Sequence, residues 1–408
     1  MQEKKYLTNT IYIIIALVAT FLMSTRYIMY CAFTLVGVYI LVSIRQKQMY
    51  LCLNSLLLLF VSIILLIFLQ DFIFSLSGWS VLFDSAVARK EIIRCGIYIL
   101  CYQIMQQCRV SLKVYSGIWR WILYFIVAIA ILQFVKIIDI DSVLKNFYGD
   151  SVQFYNSQKE ELSDFRCGSV FINPNIFATY LTGTLGCLLF VFEHEKKRKL
   201  AQIFAIVAVF VGLLLSGSRT GLIIGSVILV VYFREKIREN KKKFLVGTIV
   251  VVIIAIIISF FLRGNIPAYM NGIFDLRMFQ INAGMTNSFG VKIDIYWNLI
   301  KDANVLNILL GYGPYNYAAH PDWLVDFDFG YFTIFYGLIG IIFYLVLLRA
   351  FLNYKRRMCP SRRMFNSLAL VVIILFGFTA GVFFNLRIFT IFEVMFLTSI
   401  WREDKYIA

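Results

Sequence analysis

Residues 49–69 read MYLCLNSLLLLFVSIILLIFL, and this uncharged segment decides the fold class. An α-helix needs about twenty mainly apolar residues to cross the hydrocarbon core of a bilayer. Similar segments recur along the 408 residues, of which 61% are hydrophobic, and the mean hydropathy is +0.80. Soluble domains contain roughly 45–50% apolar residues, so an ordinary soluble enzyme is excluded. Because the runs are continuous, whereas membrane β-barrels alternate apolar and polar residues, the sequence predicts an all-α polytopic membrane protein.

These runs predict about twelve transmembrane helices, with a large outward-facing loop before the last three. The predicted spans are 7–24, 27–44, 49–69, 91–108, 118–138, 168–192, 200–217, 220–233, 244–262, 331–349, 364–382 and 383–400. They divide the chain into a helical part at 1–262, which includes an outward loop at 139–167, a large extracytoplasmic loop at 263–330, and a final part at 331–408.

The positive charge follows this topology. The chain has 39 Lys and Arg against 23 Asp and Glu, a net charge of +16. Basic residues concentrate in the cytoplasmic connections of membrane proteins. Most of them fall in the predicted connections on the side that holds both ends of the chain. Both termini are therefore expected in the cytoplasm, and nucleic acid is not an expected partner.

Nucleotide and metal chemistry find no support in the sequence. There is no phosphate-binding Gly-rich loop and no dinucleotide fingerprint, so we predict no cofactor. The eight cysteines lie mostly in or beside predicted spans without metal-ligand spacing, and we expect core residues and no metal site. The most polar span, 91–108, is expected to face protein, with Glu91 as a candidate partner of Arg94.

The first polar island in the apolar background is GSVFINPNIFATYL, residues 168–181. Asn173, Pro174 and Asn175 interrupt the predicted span near its outer end. A broken helix leaves backbone groups that a polar ligand can use. The alternative is a proline kink with locally satisfied amides, and for this motif alone the kink is the favoured interpretation.

The second island is LSGSRTGL, residues 215–222, which places Arg219 between two predicted spans. Its small residues allow close helix packing. An arginine there binds an anion or extends to the membrane interface, and the sequence leaves both interpretations open. The five donors of a guanidinium suit a diphosphate.

The third island ends the large loop. A helix is predicted near 291–308, followed by a turn at GYGP, residues 311–314, before the span that carries GLIG, residues 337–340. The candidate general bases His320, Asp326 and Asp328 lie between them, because each can accept a proton from an attacking hydroxyl. The alternative is that these residues only make a water-exposed loop soluble. Further basic residues could add to an anion site, although for each one alone a role in topology or at the membrane interface is the favoured interpretation. They are Arg166, Arg263, Arg277, Lys292 and Arg387.

Taken in order, FINPNIFATYL, SGSRTGL and GYGP followed by HPDWLVDFDFGYFTIFYGLIG resemble the O-antigen polymerase and O-antigen ligase superfamily. The resemblance covers roughly residues 165–349. It implies a polytopic glycosyltransferase that uses undecaprenyl-diphosphate-linked oligosaccharides and about twelve helices. The resemblance also implies that Arg219 contacts the diphosphate. Asp326 stands where the ligases carry a histidine, so the polymerases are the closer match.

The resulting hypothesis is a metal-independent polymerase of O-antigen or capsular repeat units in the bacterial plasma (inner) membrane. Arg277 or Lys292 would help Arg219 to hold the diphosphate. Asp326, Asp328 or His320 would act as the base. The candidate substrate-binding residues are Asn173, Asn175, Arg166 and Tyr331. Membrane lipid, a chain-length regulator and a flippase are the implied partners, and the alternatives are an O-antigen ligase, a secondary transporter and a structural membrane protein.

Overall fold

The computed structural model of the chain describes residues 2–23, 27–46, 55–77, 83–135, 139–148, 166–171, 173–194, 199–239, 296–301, 303–315, 327–356, 371–377 and 381–401. This part of the chain is mostly helical. Its helices that are long and apolar enough to cross a membrane are Ser55–Leu76, Leu112–Val135, Pro174–Val191 and Asp328–Ala350. Shorter apolar helices are Thr8–Leu22, Ile28–Ile44, Leu200–Ser216 and Thr220–Tyr232. The chain is therefore a helical membrane protein, while the number of twelve spans stays a prediction.

The elements follow one another along the chain. They are α1 (Gln2–Leu17) with a π-helical turn (Val18–Leu22), α2 (Ile28–Gln46), α3 (Ser55–Ser77), α4 (Ser85–Gln107), β1 (Arg109–Ser111), α5 (Leu112–Val135), α6 (Ile140–Tyr148), a 3₁₀ turn (Ser169–Phe171), α7 (Pro174–His194), α8 (Lys199–Ser216), α9 (Arg219–Glu239), α10 (Val305–Leu310), α11 (Asp328–Arg356), α12 (Leu386–Phe396) and β2 (Ser399–Trp401). Residues 296–301 and 371–377 are also helical. The predicted span 244–262 and most of the loop 263–330 lie outside the described residues.

The chain forms two compact units, one of Met1–Ile122 with Gly284–Ala408 and one of Leu123–Ala283. Helix α4 lies at the centre of the first unit, where it packs against α2, α3 and α12. The carboxylate of Asp84 caps it by accepting hydrogen bonds from the amides of Ala86 (2.7 Å) and Val87 (3.3 Å). Glu91, Arg94 and Gln103 are buried, which confirms that the most polar span faces protein.

Helix α11 is broken at Gly337, and carbonyls before the break bind the GYGP turn. At Gly337 the backbone leaves the helical conformation, with φ 60° and ψ −142°. Two carbonyls that precede the break accept from the turn: Ile334 from the amide of Tyr312 (2.7 Å), and Phe335 from that of Gly313 (3.1 Å). The side-chain amide of Gln70 also donates to the Phe335 carbonyl (2.7 Å). The break is thus closed by protein groups, and the predicted turn is confirmed, with positive φ at Gly311 and Gly313.

Two sequence predictions in this unit are wrong in detail. The helix predicted near 291–308 is interrupted, because the side chain of Asn304 accepts from the amide of Asn307 and starts the separate helix α10. The helix predicted over 383–400 ends at Phe396, and residues 399–401 form a strand that pairs in parallel with β1. The pairing partner is remote in sequence, so the local apolar pattern does not reveal it.

Small residues bring the helices of the second unit together. A Cβ on Gly221 of α9 would lie 2.7 Å from the Cβ of Ala178 on α7. A Cβ on Gly212 of α8 would lie 2.8 Å from a methyl carbon of Leu181 on α7. The close packing predicted for the second island is therefore confirmed, and the first turn of α9 packs against the second turn of α7.

The described cysteines are buried, as the sequence predicts for core residues. They are Cys31, Cys95, Cys101, Cys108, Cys167 and Cys187.

Candidate functional site

The first polar island begins a helix. Pro174 is the first residue of α7, a position where its fixed φ and missing N–H are favourable. The side chain of Asn173 accepts a 2.8 Å hydrogen bond from the amide of Asn175. The predicted span start at 168 is therefore wrong, and the motif is neither a break nor a kink inside a helix. It marks a helix N-terminus, where Asn173 accepts from the amides of Asn175 and Phe177.

The second island also starts a helix. Gly217 turns the chain between α8 and α9 with φ +58°, a conformation that favours glycine. The hydroxyl of Ser218 then accepts from the amide of Gly221 (3.2 Å) and caps α9. Arg219 is the first residue of this helix. The backbone therefore places Arg219 at a second N-terminus, while its side chain lies outside the described part.

Arg166 joins the two islands. Its Nε donates to the carbonyl of Ser216 (3.0 Å), and its Nη2 donates to the side-chain oxygen of Asn175 (2.8 Å). Beside it, the amide of Cys167 donates to the carbonyl of Leu215 (3.0 Å). The structure thus brings together Arg166, Asn173, Asn175 and the helix start at Arg219, which the sequence analysis proposed separately.

This junction is positively polarised. Each helix N-terminus carries a partial positive charge of roughly half a unit, and the first turn of α9 packs against the second turn of α7. The guanidinium of Arg166 adds a full charge. Backbone amides at helix starts bind phosphates, and a guanidinium presents paired donors to phosphate oxygens. The chemistry of the junction therefore fits an anion that carries phosphate.

An open apolar groove runs along α9 from the turn after Arg219. It has a volume of about 400 Å³ and is lined by Leu222, Ile223, Ser226, Val227 and Val230. Four of these side chains are hydrocarbon, so the groove suits an apolar chain and offers little to a sugar.

A second polar cluster lies inside the first unit. Arg94 and Glu91, three positions apart on α4, form the ion pair that the sequence predicts. Arg94 also donates to the hydroxyl of Tyr331. That hydroxyl donates to Glu91 (2.5 Å) and lies 3.0 Å from the hydroxyl of Tyr336. Tyr331 is only 1% exposed. This candidate substrate-binding residue thus has its hydroxyl occupied by protein groups.

Asp328, a candidate base, is completely buried. Its carboxylate accepts hydrogen bonds from three successive amides, those of Val382 (2.8 Å), Phe383 (2.9 Å) and Phe384 (3.3 Å). Both oxygens take part, since Phe383 also contacts the second oxygen at 3.0 Å. The candidates His320, Asp326, Arg277 and Lys292 lie outside the described residues, as does Arg263.

Sequence reasoning did not select Gln70 or Tyr98. Gln70 donates to the carbonyls of Leu310 (2.5 Å) and Phe335 (2.7 Å), and Tyr98 donates to that of Phe383 (2.7 Å). An uncharged polar side chain inside a continuous apolar run is a signal that identifies Gln70. Tyr98 has no comparable signal, because it is one of 24 tyrosines in the chain.

In the ranges that the structure covers, no three His, Cys, Asp or Glu side chains are grouped so that they could hold a metal ion. No protein-family model and no curated protein matches the chain. The motifs and the junction between α7 and α9 are therefore the features that bear on function.

Proposed function

We propose that the chain is a membrane glycosyltransferase that polymerises undecaprenyl-diphosphate-linked repeat units into O-antigen or capsular polysaccharide. The observation that carries the proposal is the double contact of Arg166, which joins two of the family-like motifs at adjoining helix N-termini. A lipid-linked diphosphate is the anion that such a membrane protein would bind there.

In the proposed reaction, the diphosphate of the donor lies at the starts of α7 and α9. Arg219 makes the principal contact, and Arg277 or Lys292 adds a second cation. Donors fixed before the reaction stabilise the charge that develops on a leaving group, because they need no reorganisation. Arginine side chains would thus supply the electrostatic stabilisation, and no metal is required.

A hydroxyl of a second lipid-linked repeat attacks the anomeric carbon. The bond from that carbon to the diphosphate oxygen breaks, and its electron pair leaves with the diphosphate. The hydroxyl proton passes to a general base, for which His320, Asp326 and Asp328 are the sequence candidates. A single displacement of this kind inverts the anomeric centre.

The apolar groove on α9 can accommodate the lipid tail of the donor. It starts one turn after Arg219, so a diphosphate at the helix start leaves an isoprenoid chain directed along Leu222, Ile223 and Val230. Burial of apolar surface contributes roughly 25 cal/mol per Å², and the tail would therefore add affinity without adding specificity for the sugar.

The proposed topology has twelve spans, cytoplasmic termini and the loop 263–330 at the outer face of the bacterial plasma membrane. The contacts inside the first unit are consistent with it. Gln70, near the predicted outer end of the third span, bonds the carbonyls of Leu310 and Phe335, near the predicted outer start of the tenth. A chain-length regulator and a flippase are proposed as partners.

A transporter is the main competing class, because transporters use broken helices to bind their cargo. The break at Gly337 argues against this use, since the carbonyls of Ile334 and Phe335 are occupied by protein donors. A ligase shares the diphosphate chemistry and differs in its acceptor. The polymerase proposal therefore ranks first, and the ligase second.

The test is the length distribution of surface glycan in a strain that lacks the gene. Complementation uses the wild type, Arg219→Ala, Arg166→Ala and, as a control, Arg89→Ala, which removes an exposed arginine bonded within its own helix. We expect single repeat units after deletion, long chains with the wild type and the control, and short chains with the other two variants. Long chains that stay on the lipid diphosphate would indicate a ligase. Unchanged glycan after deletion would exclude both activities.

A further inference from the structure

We propose that Asp328 is a positioning residue, and that with Arg94 it fixes the bend at residues 382–384 against the first turn of α11. The inference deepens the proposed function and rests on it for its activity readout. It removes one of the three sequence candidates for the general base.

The bend is held from two sides by opposite charges. The carboxylate of Asp328 accepts from the amides of residues 382–384, at 2.8 to 3.3 Å. On the carbonyl side, Arg94 donates to Phe384 (2.8 Å), and Tyr98 donates to Phe383 (2.7 Å). Three amides and two carbonyls of one short bend are thereby satisfied by three side chains.

The same cluster ties the bend to two helices. Arg94 belongs to α4, where it pairs with Glu91, and it also donates to Tyr331 of α11. The guanidinium carbon lies 4.9 Å from the ring centroid of Tyr331 and 5.6 Å from that of Phe383. Consequently α4, the start of α11 and the bend are connected through one buried ionic group.

A base role places different demands on a carboxylate. A general base needs a lone pair within reach of the substrate hydroxyl. Asp328 has 0% exposure, and its two oxygens are already bonded to backbone amides. Loss of the carboxylate would leave two buried N–H groups, those of Val382 and Phe383, and the part-buried N–H of Phe384 without their acceptor, which destabilises the fold.

A disulfide between residues 328 and 377 can link the start of α11 to the segment before the bend, although it provides no carboxylate. A Cβ on Gly377 would lie 3.6 Å from the Cβ of Asp328, within the usual range of about 3.5–4.5 Å for bridged cysteines. The same Cβ would lie 2.7 Å from the hydroxyl of Tyr344, so Tyr344→Phe is added to make space. Residue 377 ends the described helical segment just before the bend.

The experiment compares full-length Asp328→Cys/Gly377→Cys/Tyr344→Phe after diamide and after dithiothreitol. Disulfide formation is checked by mass spectrometry of the linking peptide. The readouts are the thermal midpoint in detergent and the glycan ladder in the deletion strain. Single-cysteine variants and Tyr344→Phe alone are the controls, and Asp328→Asn tests the carboxylate itself.

We expect Asp328→Asn and the reduced triple variant to lose long glycan at least about tenfold and to melt below the wild type. Oxidation should raise both readouts of the triple variant above their reduced values and change neither in the single-cysteine controls. The midpoint should stay below that of the wild type, because the disulfide gives the amides of residues 382–384 no acceptor. Failure of the cysteines to bridge, or an Asp328→Asn midpoint equal to the wild type, would overturn the proposal. A bridged variant whose midpoint rises on oxidation while long glycan does not would also overturn it and make Asp328 a catalytic residue. If the wild type itself forms no polymer, the proposed function fails, and the thermal comparison still decides the positioning role.

Discussion

The guanidinium of Arg166 donates a 3.0 Å hydrogen bond to the carbonyl oxygen of Ser216, although the two residues are 50 positions apart. Through Asn175 it also contacts the first turn of α7. One side chain therefore keeps the end of α8 beside the start of α7, where the diphosphate is proposed to bind.

Replacing Arg166 should damage the junction and its charge together. Hydrogen bonds to charged groups contribute about 1.5–3 kcal/mol, so we expect Arg166→Ala to lower stability by that order and to shorten the glycan ladder. Arg166→Lys keeps the charge but lacks the paired donors of the guanidinium, so its stability and its ladder length should be intermediate. Thermal unfolding and ladder length measure the two effects. A ladder of normal length with Arg166→Ala would exclude the residue from the site.

Gly337→Ala should be strongly destabilising. At φ 60° and ψ −142° an L side chain is strained by about 1–3 kcal/mol, and the new Cβ would lie 2.5 Å from the Ile308 carbonyl oxygen. Gly117→Ala is the matched control, because nothing lies within 4 Å of its Cβ, and a helical alanine gains roughly 0.5–1 kcal/mol. The thermal midpoint should fall for the first variant and hold or rise for the second. Equal midpoints would contradict the helix break.

Gln70→Leu should destabilise the first unit while preserving the apolar character of α3. It removes the donor to the carbonyls of Leu310 and Phe335, of which Phe335 keeps the amide of Gly313. A polar group left without its partner costs about 1–3 kcal/mol, and here that group is the Leu310 carbonyl. Ser75→Ala on the same helix is the control, since Ser75 is exposed and bonds only the carbonyl one turn before it. Chemical or thermal unfolding in detergent compares the two. A loss below about 0.5 kcal/mol for Gln70→Leu would be the size of a typical surface substitution and would argue against the contact.

Glu91 and Arg94 should show strong energetic coupling. Removing one partner of a buried ion pair typically costs about 3–5 kcal/mol, because the other charge stays buried. We expect Glu91→Leu and Arg94→Met to be severe alone, and the double variant to be more stable than the sum predicts. The double variant should still be less stable than the wild type, since Arg94 also donates a hydrogen bond to the Phe384 carbonyl. A double-mutant cycle of unfolding free energies measures the coupling, and simple additivity would show that the pair does not interact.

Local features of the fold followed from the sequence. Continuous apolar runs predicted the helices, and the three-residue spacing of Glu91 and Arg94 supplied a pair that the structure confirms. The glycines of GYGP predicted a turn, because glycine tolerates positive φ. Each of these depends on residues within one or two helical turns of each other.

Contacts between remote segments did not follow from the sequence. Asp328 binds amides 54 to 56 positions away, and Gln70 binds a carbonyl 265 positions away. No local pattern encodes such a partner. The third predicted span ends at residue 69, yet helix α3 continues to Ser77, and Gln70 finds its acceptors inside the protein.

The contact between Tyr12 and Val394 has a consequence for biogenesis. The hydroxyl of Tyr12 donates to the carbonyl of Val394 across 382 positions, and the indole of Trp119 donates to the same hydroxyl. During translation, Tyr12 therefore enters the membrane long before its acceptor is synthesised. The segment Leu123–Ala283 is complete by then and can assemble first. A nascent chain that stalls before α12 would therefore keep the hydroxyl proton of Tyr12 without the Val394 acceptor, although the indole of Trp119 is already present.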